Sequence, residues 1–287
     1  MTRNTVLANL GMILTTMIWG VTFVMVKDAL NDAPPFIFLA LRKGLAFLFG
    51  VIYLHRNIKK ITTLEIVSGL ICGFVLYAGY SFQNFGLILT TPSKSAFITS
   101  VSVILVPIIL VVFRIKSVHL RIWVATFLAI VGLYILLNPA GGEFNIGDIL
   151  TFGCAVSFAV HVILQDYYLS KGVHVSHLLL TQLMFITVFS CLSVCVFEDL
   201  SLIMSDRLIN AILVTGVLAT FIALFIMVWA QTILSPGQTA ILLSLEPVFA
   251  ALFSTIFAGE ILGLHGWIGG SVIVFAVLSL ELFPVKK

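Results

Sequence analysis

Two long apolar stretches of the sequence contain charged side chains that could bind a small polar molecule. Arg42 lies about midway through a stretch that begins at Pro34, and Lys43 follows it directly. Glu246 lies about midway through a stretch that begins at Pro236. A charge at the centre of a bilayer costs at least about 2.5–3.5 kcal/mol by insertion scales, so each group needs a partner or water. We expect Arg42 and Glu246 to line a cavity and one of them to hold a charged end of a ligand. The alternative is a structural ion pair between two helices.

Uncharged polar side chains recur at helical spacing and extend this set. Polar groups in hydrocarbon need partners or water, so such faces should turn inward. Three faces follow this pattern: Ser95, Thr99 and Ser102; Tyr77, Tyr80 and Asn84, with Gln83 alongside; and Ser157, His161 and Gln165. From them we predict that Ser102, Tyr77, Tyr80, Gln83 and His161 line the cavity. For any one Ser or Thr, the alternative is a hydrogen bond between helices, worth about 0.6 kcal/mol.

Aromatic and proline residues supply the remaining candidates. Trp19 and Trp229 lie within apolar stretches and could form an apolar wall around a ligand. Pro107 and Pro247 also lie within such stretches, where proline frees a carbonyl group and bends a helix. We predict a gating role for these two prolines, with a static bend as the alternative. Nothing in the sequence points to a metal or a cofactor, because the histidines are scattered and no phosphate-binding glycine loop is present.

The composition indicates what kind of protein holds these residues. Of the 287 residues, 61% are hydrophobic and only 9% are charged, against about 25% charged in soluble proteins. The chain is therefore an integral membrane protein. The absence of strand-like alternation excludes an outer-membrane barrel. The net charge of +3 does not indicate nucleic-acid binding, because the basic residues cluster in short loops.

A spanning helix needs about 20 mostly apolar residues, and the sequence predicts ten of them in an all-α membrane protein. The predicted spans are Val6–Val26, Pro34–Leu54, Leu64–Leu89, Ser93–Phe113, Leu120–Leu137, Gly147–Leu169, Ser176–Phe197, Leu208–Leu234, Pro236–Ala258 and Leu264–Phe283. With the N-terminus in the cytoplasm, ten Lys and Arg residues fall on the inner side and three on the outer side. This bias predicts that both termini are cytoplasmic.

An internal repeat divides the chain into two halves. Pro92, Ala96 and Ser100 match Pro236, Ala240 and Ser244 at a constant offset of 144, and this offset aligns Ser102 with Glu246. Gly11 to Thr15 match Gly147 to Thr151 at an offset of 136. We predict repeats at residues 1–138 and 139–287, each with five spans. Five is odd, so the second repeat is expected to be inverted relative to the first, with a site between them near the bilayer midplane.

The order of several short motifs resembles the EamA type of the drug/metabolite transporter superfamily. The motifs are Trp19-Gly20, Leu41-Arg42, the proline-containing starts of spans four and nine, Glu246-Pro247 and Gly259-Glu260. The resemblance covers nearly the whole chain. It implies a ten-helix carrier of the inner membrane, usually an exporter of amino acids or related metabolites.

These observations together predict a secondary transporter of a small organic metabolite that works by alternating access. The favoured substrate is an amino acid, which includes the aromatic amino acids, or a related compound. Proton coupling through Glu246 is a further hypothesis. The predicted partners are this substrate, the lipid bilayer and protons, and the protein is a monomer or a weak dimer. Two alternatives stay open: a cationic or nucleoside-like substrate, and a membrane enzyme that acts on a lipid-linked substrate.

Overall fold

The computed structural model describes residues 3–55, 60–90, 92–137, 145–257 and 263–282. Within these ranges the regular secondary structure is helical, and no strand occurs in them. The helices are α1 (Arg3–Ala29), α2 (Pro35–Leu54), α3 (Thr63–Leu89), α4 (Pro92–Ser100), α5 (Ser102–Val112), α6 (Leu120–Leu137), α7 (Ile146–Ser170), α8 (Val175–Phe197), α9 (Asp206–Leu213), a π-helical segment (Val214–Ile222), α10 (Ala223–Gln231), α11 (Pro236–Leu243), α12 (Glu246–Phe257) and α13 (Leu264–Leu282).

Eight helical segments in the described ranges are long and apolar enough to cross a membrane, and two shorter apolar helices accompany them. The shorter helices are Leu120–Ile135 and Leu264–Ser279. This arrangement supports a multi-pass membrane protein, whereas the count of ten spans stays a prediction. The predicted span ends Ala258 and Phe283, the Gly259-Glu260 motif and the predicted repeat boundary at 138/139 lie outside the described residues.

Local sequence explains where several helices begin. The hydroxyl of Thr62 accepts a hydrogen bond from the Glu65 backbone, and the Glu65 side chain caps the N-terminus of α3 in return. Ser235 and Gln238 form the same reciprocal cap at the start of α11, where Pro236 occupies the first turn. Both devices satisfy backbone N–H groups that a helix leaves free at its N-terminus.

Two predicted spans are interrupted at corresponding positions. Span four divides into α4 and α5 at Val101, and span nine divides into α11 and α12 just after Leu243. Ser100 donates to the Ala96 carbonyl at 2.8 Å, and Ser244 donates to the Ile241 carbonyl at 2.6 Å. A serine that bonds back to its own helix competes with the backbone ladder and bends the helix. These two serines are 144 residues apart, so the repeat places a serine with the same kind of hydrogen bond at both interruptions.

The prolines that we predicted as kinks lie elsewhere in these spans. Pro247 is the second residue of α12, where it begins a helix after the interruption. Pro107 lies inside α5, six residues beyond Val101, and is buried. A gating role for either proline stays a prediction.

The contacts between helices are nearly symmetric between the two halves. When each of the first five predicted spans is replaced by its counterpart among the last five, and the reverse, the strongest contacts are reproduced. Each of the contacts α2 with α8 and α6 with α13 corresponds to itself under this exchange. The contact of α3 with α7 corresponds to that of α1 with α10, and the contact of α5 with α7 to that of α1 with α12. This pattern fits a two-repeat architecture. The largest buried apolar cluster, which includes Met12, Leu39, Leu183 and Leu224, connects both halves.

One end of the bundle, which we name the Lys27 end, holds the ends of α1 and α3. Lys27, in the last turn of α1, donates to backbone carbonyls at the end of α3, including that of Thr90 at 3.1 Å. The Thr90 hydroxyl donates to Asp148, in the first turn of α7, at 2.9 Å. Hydrogen bonds therefore connect three helix termini from both halves.

The α8–α9 connection completes the Lys27 end. Glu198 accepts from the backbone N–H groups of Phe36 and Ile37 at 2.9 Å each, at the start of α2. Arg207 donates to both oxygens of Asp32, which lies between α1 and α2. This hydrogen-bonded arginine, together with Ser205, holds the pKa of the Asp32 carboxyl below its ordinary value.

The opposite end, which we name the Lys116 end, joins the halves with different chemistry. Glu65 at the start of α3 contacts the His177 ring at 2.7 Å and accepts from the His174 backbone N–H at 3.2 Å. Lys116, which follows α5, forms an ion pair with Asp166 near the end of α7. Adjacent long helices therefore begin and end at opposite ends of the bundle, as short connections require.

Candidate functional site

A central cavity lies between the two halves. Its empty volume is about 820 Å³, including the part open to solvent. The wall combines apolar and polar side chains: Trp19, Thr22, Phe23, Val26, Arg42, Leu76, Tyr80, Gln83, Leu87, Thr99, Ser100, Ser102, Phe158, His161, Val162, Ala219, Thr220, Leu224, Met227, Leu243 and Glu246.

Most of the residues that the sequence singled out as binding candidates meet in this cavity. Seven of the nine candidates belong to its wall: Trp19, Arg42, Tyr80, Gln83, Ser102, His161 and Glu246. They come from α1, α2, α3, α5, α7 and α12. The tertiary structure therefore brings together residues up to 227 positions apart in the chain, as the numbers of Trp19 and Glu246 give.

Tyr77 and Trp229 do not line the cavity, contrary to our prediction. The Tyr77 hydroxyl forms a hydrogen bond with that of Ser193 on α8, and its ring packs near Phe189. Leu76 and Tyr80 are four residues apart and share the face of α3 that lines the cavity, so Tyr77 is directed towards α8. Trp229 packs within the core where α10 meets Gly11 of α1.

Arg42 and Glu246 do not form the ion pair that we considered. Arg42 is 4% exposed, and its Nε and Nη2 atoms are buried without a hydrogen-bond partner among the described residues. Its guanidinium carbon lies 4.7 Å from the centre of the Tyr80 ring and 5.2 Å from that of Phe38. Glu246 is partly buried and has no ion-pair partner within 4.0 Å in the described ranges. A guanidinium and a carboxylate thus remain available on different helices of one cavity.

Lys43 lies just behind the wall beside Arg42. Its side chain is fully buried, and its Nζ donates to the Thr220 hydroxyl at 3.0 Å. The same nitrogen is 3.3 Å from the centre of the Tyr80 ring. The side chains of both adjacent cations are therefore buried, and both approach Tyr80.

Aromatic side chains form the apolar part of the wall and are held in place. The Trp19 indole N–H donates at 2.6 Å to the carbonyl of Ala219, which lies in the π-helical segment. Short π-helical segments frequently occur at functional sites. Tyr80 and Phe158 form an edge-on pair with ring centres 5.3 Å apart.

Buried amides close the cavity on the side of the Lys116 end. His161 contacts the Gln182 side-chain oxygen at 3.1 Å. One turn further along α7, Gln165 donates to Gln231 at 2.5 Å, and Gln231 donates to the Val162 carbonyl at 3.0 Å. Gln165, Gln182 and Gln231 are all fully buried.

Several cavity residues that the sequence patterns missed are related by the repeat to other residues of the wall. The pairs in which both members line the cavity are Leu76 with Thr220, Tyr80 with Leu224, Gln83 with Met227, Thr99 with Leu243 and Ser102 with Glu246 at an offset of 144, and Thr22 with Phe158 and Val26 with Val162 at an offset of 136. Tyr80 and Gln83 were predicted, so the repeat was the signal that could have identified Leu224 and Met227.

Comparison with known proteins agrees with this two-part construction. Residues 6–138 and, separately, residues 145–281 match the EamA-like transporter family. This chain belongs to the EamA-like transporter family. A solved crystal structure with 16% sequence identity superposes with a TM-score of 0.80 over 96% of each chain, which shows the same fold.

Several full-length relatives carry transporter names. An uncharacterized transporter of Archaeoglobus fulgidus is 34% identical over 275 residues, covering 96% of this chain and 86% of the relative. The uncharacterized transporter YoaV of Bacillus subtilis is 26% identical over 281 residues, covering 94% and 92%. A protein named S-adenosylmethionine uptake transporter, from Rickettsia prowazekii, is 25% identical over 238 residues, covering 83% and 78%. The protein is therefore a multi-pass membrane transporter of this family.

Proposed function

We propose that this EamA-like transporter carries a zwitterionic small metabolite, an amino acid or a related compound, through the central cavity. The observation that carries the proposal is that two charged groups, Arg42 and Glu246, line one cavity without an ion-pair partner among the described residues. A zwitterion brings a carboxylate and an ammonium group, one for each of them. The family match favours transport over the enzymatic alternative that the sequence left open.

Arg42 is suited to the carboxylate end of such a substrate. Its buried Nε and Nη2 atoms have no acceptor among the described residues. Guanidinium groups bind carboxylates through two parallel charge-assisted hydrogen bonds, which are stronger than neutral ones. A bound carboxylate would therefore satisfy donors that are otherwise left unpaired.

Glu246 is suited to the ammonium end, and the aromatic wall to the rest of the molecule. Glu246 belongs to the first turn of α12 and faces the cavity. Trp19, Tyr80 and Phe158 provide apolar surface in the same space. This wall favours an amino acid with an apolar or aromatic side chain.

A cationic or nucleoside-like substrate is the second candidate. It is supported by the aromatic wall, by Glu246 and by the name of the Rickettsia prowazekii relative. S-adenosylmethionine itself combines an amino acid group, a sulfonium cation and an adenine ring. The buried cations Arg42 and Lys43 disfavour a substrate that carries positive charge alone.

The transport cycle that we propose is alternating access between two inverted repeats, residues 1–138 and 139–287. The bias in Lys and Arg supports an inner-membrane protein with both termini in the cytoplasm. In this orientation the Lys27 end faces outward and the Lys116 end faces the cytoplasm.

Uptake of radiolabelled amino acids into proteoliposomes tests the proposal. We expect Arg42→Gln and Glu246→Gln to reduce uptake at least tenfold, because each removes the charge opposite one end of the zwitterion. Arg114→Gln and Asp199→Asn are matched controls, since both residues are exposed and lie outside the cavity. Unchanged uptake in both cavity variants would refute this binding mode.

Proton coupling through Glu246 is tested in the same vesicles. We propose that Glu246 exchanges a proton during transport, so a pH gradient should accelerate uptake by the wild type. Glu246→Gln cannot exchange a proton and should lose this acceleration, whereas Asp199→Asn should keep it. Equal acceleration in Glu246→Gln would refute coupling through this residue.

A further inference from the structure

Lys43 is a buried cation that lies next to the cavity but is not part of its wall. It is fully buried within α2, yet a Lys side chain inside a membrane protein is costly and points to a functional site by default. No ion pair involving Lys43 occurs within the described ranges. Its charge is therefore not neutralised by a neighbouring carboxylate.

The contacts of Lys43 lead directly to the cavity. Both groups that its Nζ contacts, the Thr220 hydroxyl at 3.0 Å and the Tyr80 ring at 3.3 Å, belong to residues of the cavity wall. A hydroxyl oxygen and the face of an aromatic ring both attract an ammonium group. Lys43 thus fixes two wall residues while it remains out of reach of a substrate.

The charged and titratable groups around Lys43 make this part of the wall positive. Arg42 on α2 and Lys43 both approach Tyr80 on α3. His161 on α7 and Glu246 on α12 face the same cavity. Two cations and one carboxylate therefore surround the site, so it favours a substrate that brings a carboxylate over one that carries positive charge alone.

We propose that Lys43 is a positioning residue that determines charge specificity by excluding substrates without a carboxylate. It holds Tyr80 and Thr220 in the wall, and its ammonium adds positive potential beside Arg42. This inference deepens the proposed function and rests on it. It predicts that an amino acid is preferred over the amine that lacks only its carboxylate.

Phenylalanine and 2-phenylethylamine are probes that differ by this one group. In proteoliposomes the ratio of phenylalanine to phenylethylamine uptake should fall at least tenfold in Lys43→Gln, mainly because amine uptake rises. Lys43→Arg retains the charge and should restore most of the ratio, and Lys171→Gln at an exposed position should not change it. An equal loss of both compounds in Lys43→Gln would show a merely structural role and overturn the proposal.

A second measurement is independent of the substrate. A Ser102→Cys variant in a background without the four native cysteines places a thiol in the cavity wall. The ratio of its modification rates by cationic and by anionic thiosulfonate reagents then measures the local electrostatic potential. Adding Lys43→Gln should shift the relative rate towards the cationic reagent at least tenfold, and Lys171→Gln should not. If this shift occurs while wild-type protein carries neither probe, Lys43 sets the potential but the proposed substrate is wrong. If the relative rate is unchanged, the inference about Lys43 is wrong whatever the substrate.

Discussion

The two ends of the bundle differ at corresponding positions. Towards the Lys27 end, Leu87 on α3 lines the cavity. Its counterpart at an offset of 144 is Gln231 on α10, which is fully buried and hydrogen-bonded to Gln165 and to the Val162 carbonyl. The cavity therefore extends one helical turn further towards the Lys27 end than towards the Lys116 end. At the level of the cavity, the two ends therefore differ in a related pair of side chains, Leu87 and Gln231.

This difference suggests how two similar halves can favour one state. In alternating access the two ends of the bundle open in turn, so the helix contacts at each end must be able to separate. Amide hydrogen bonds hold α7 against α10, whereas apolar side chains occupy the corresponding positions in α1 and α3.

Replacing Gly69 should have the largest effect, because it removes the close contact of α3 with α8 near the Lys116 end. A Cβ atom at Gly69 would lie 2.1 Å from the Thr181 hydroxyl and 2.8 Å from the Thr181 carbonyl carbon. We expect Gly69→Ala to destabilise the protein by about 1–3 kcal/mol, as overpacking does. Thermal unfolding in detergent measures it. Gly44→Ala is the control, since its nearest contact would be an ordinary 3.6 Å, and equal melting of the two variants would contradict this view of the interface.

Replacing Gln231 with leucine should loosen the Lys116 end. A side-chain hydrogen bond between membrane helices is worth about 0.6 kcal/mol and up to about 1.7 kcal/mol, or about a threefold to twentyfold change in an equilibrium. Cys72 packs with Val228 of α10 and reports on this region. In a protein with Cys72 as its only cysteine, Gln231→Leu should raise the alkylation rate by this factor. Asn210→Leu at an exposed position is the control, and no change in Cys72 reactivity would argue against an amide lock.

The reciprocal change, Leu87→Gln, should have a smaller effect at the Lys27 end. The position that corresponds to Gln165 is Ala29, which has no side-chain amide. A glutamine at position 87 would therefore lack the amide partner that Gln231 has in Gln165, and we expect less than a threefold slowing of access to the cavity. Alkylation of Cys154, which is buried 3.9 Å from the Thr99 hydroxyl of the cavity wall, measures this access. If Leu87→Gln slowed alkylation of Cys154 by a larger factor than Gln231→Leu accelerates alkylation of Cys72, the comparison of the two ends would be reversed.

Asp32→Asn should give the smallest effect and a defined pH dependence. Arg207 lowers the pKa of Asp32 in the folded protein, so this carboxylate adds stability above its unfolded pKa of about 3.9. The contribution disappears as the pH falls through the lowered folded value. At pH 7 the melting temperature of the wild type should therefore be slightly higher than that of Asp32→Asn, and this difference should vanish in acid. A difference that persists below the folded pKa would assign the effect to packing instead of charge.

Much of the site followed from the sequence because the repeat places similar residues at similar depth. The match of Ser102 with Glu246 and the polar faces of α3 and α7 led to seven residues that now share one cavity. Tyr77 and Trp229 were misplaced because periodicity gives a helical face but not the neighbour that the face meets. Tyr77 meets Ser193 on α8, and Trp229 meets α1.

Other features depended on contacts that no spacing rule contains. Trp19 was predicted as a wall residue, but its hydrogen bond to Ala219 requires the π-helical segment. Neighbours on a helix are about 100° apart, yet the long side chains of Arg42 and Lys43 both reach the ring of Tyr80.

Composition alone requires the chain to lie in a membrane as a set of apolar helices, because so few charged residues cannot cover a soluble surface. The relationship between the halves also follows from the amino-acid sequence, since prolines and serines recur at a constant spacing. The packing of the helices was needed to show that Arg42 and Glu246 stay apart, that Lys43 contacts two residues of the wall and that two glutamines close one end. The reason is physical: burial and periodicity act along one helix, whereas the pairing of charges and amides depends on which helices meet and at what depth.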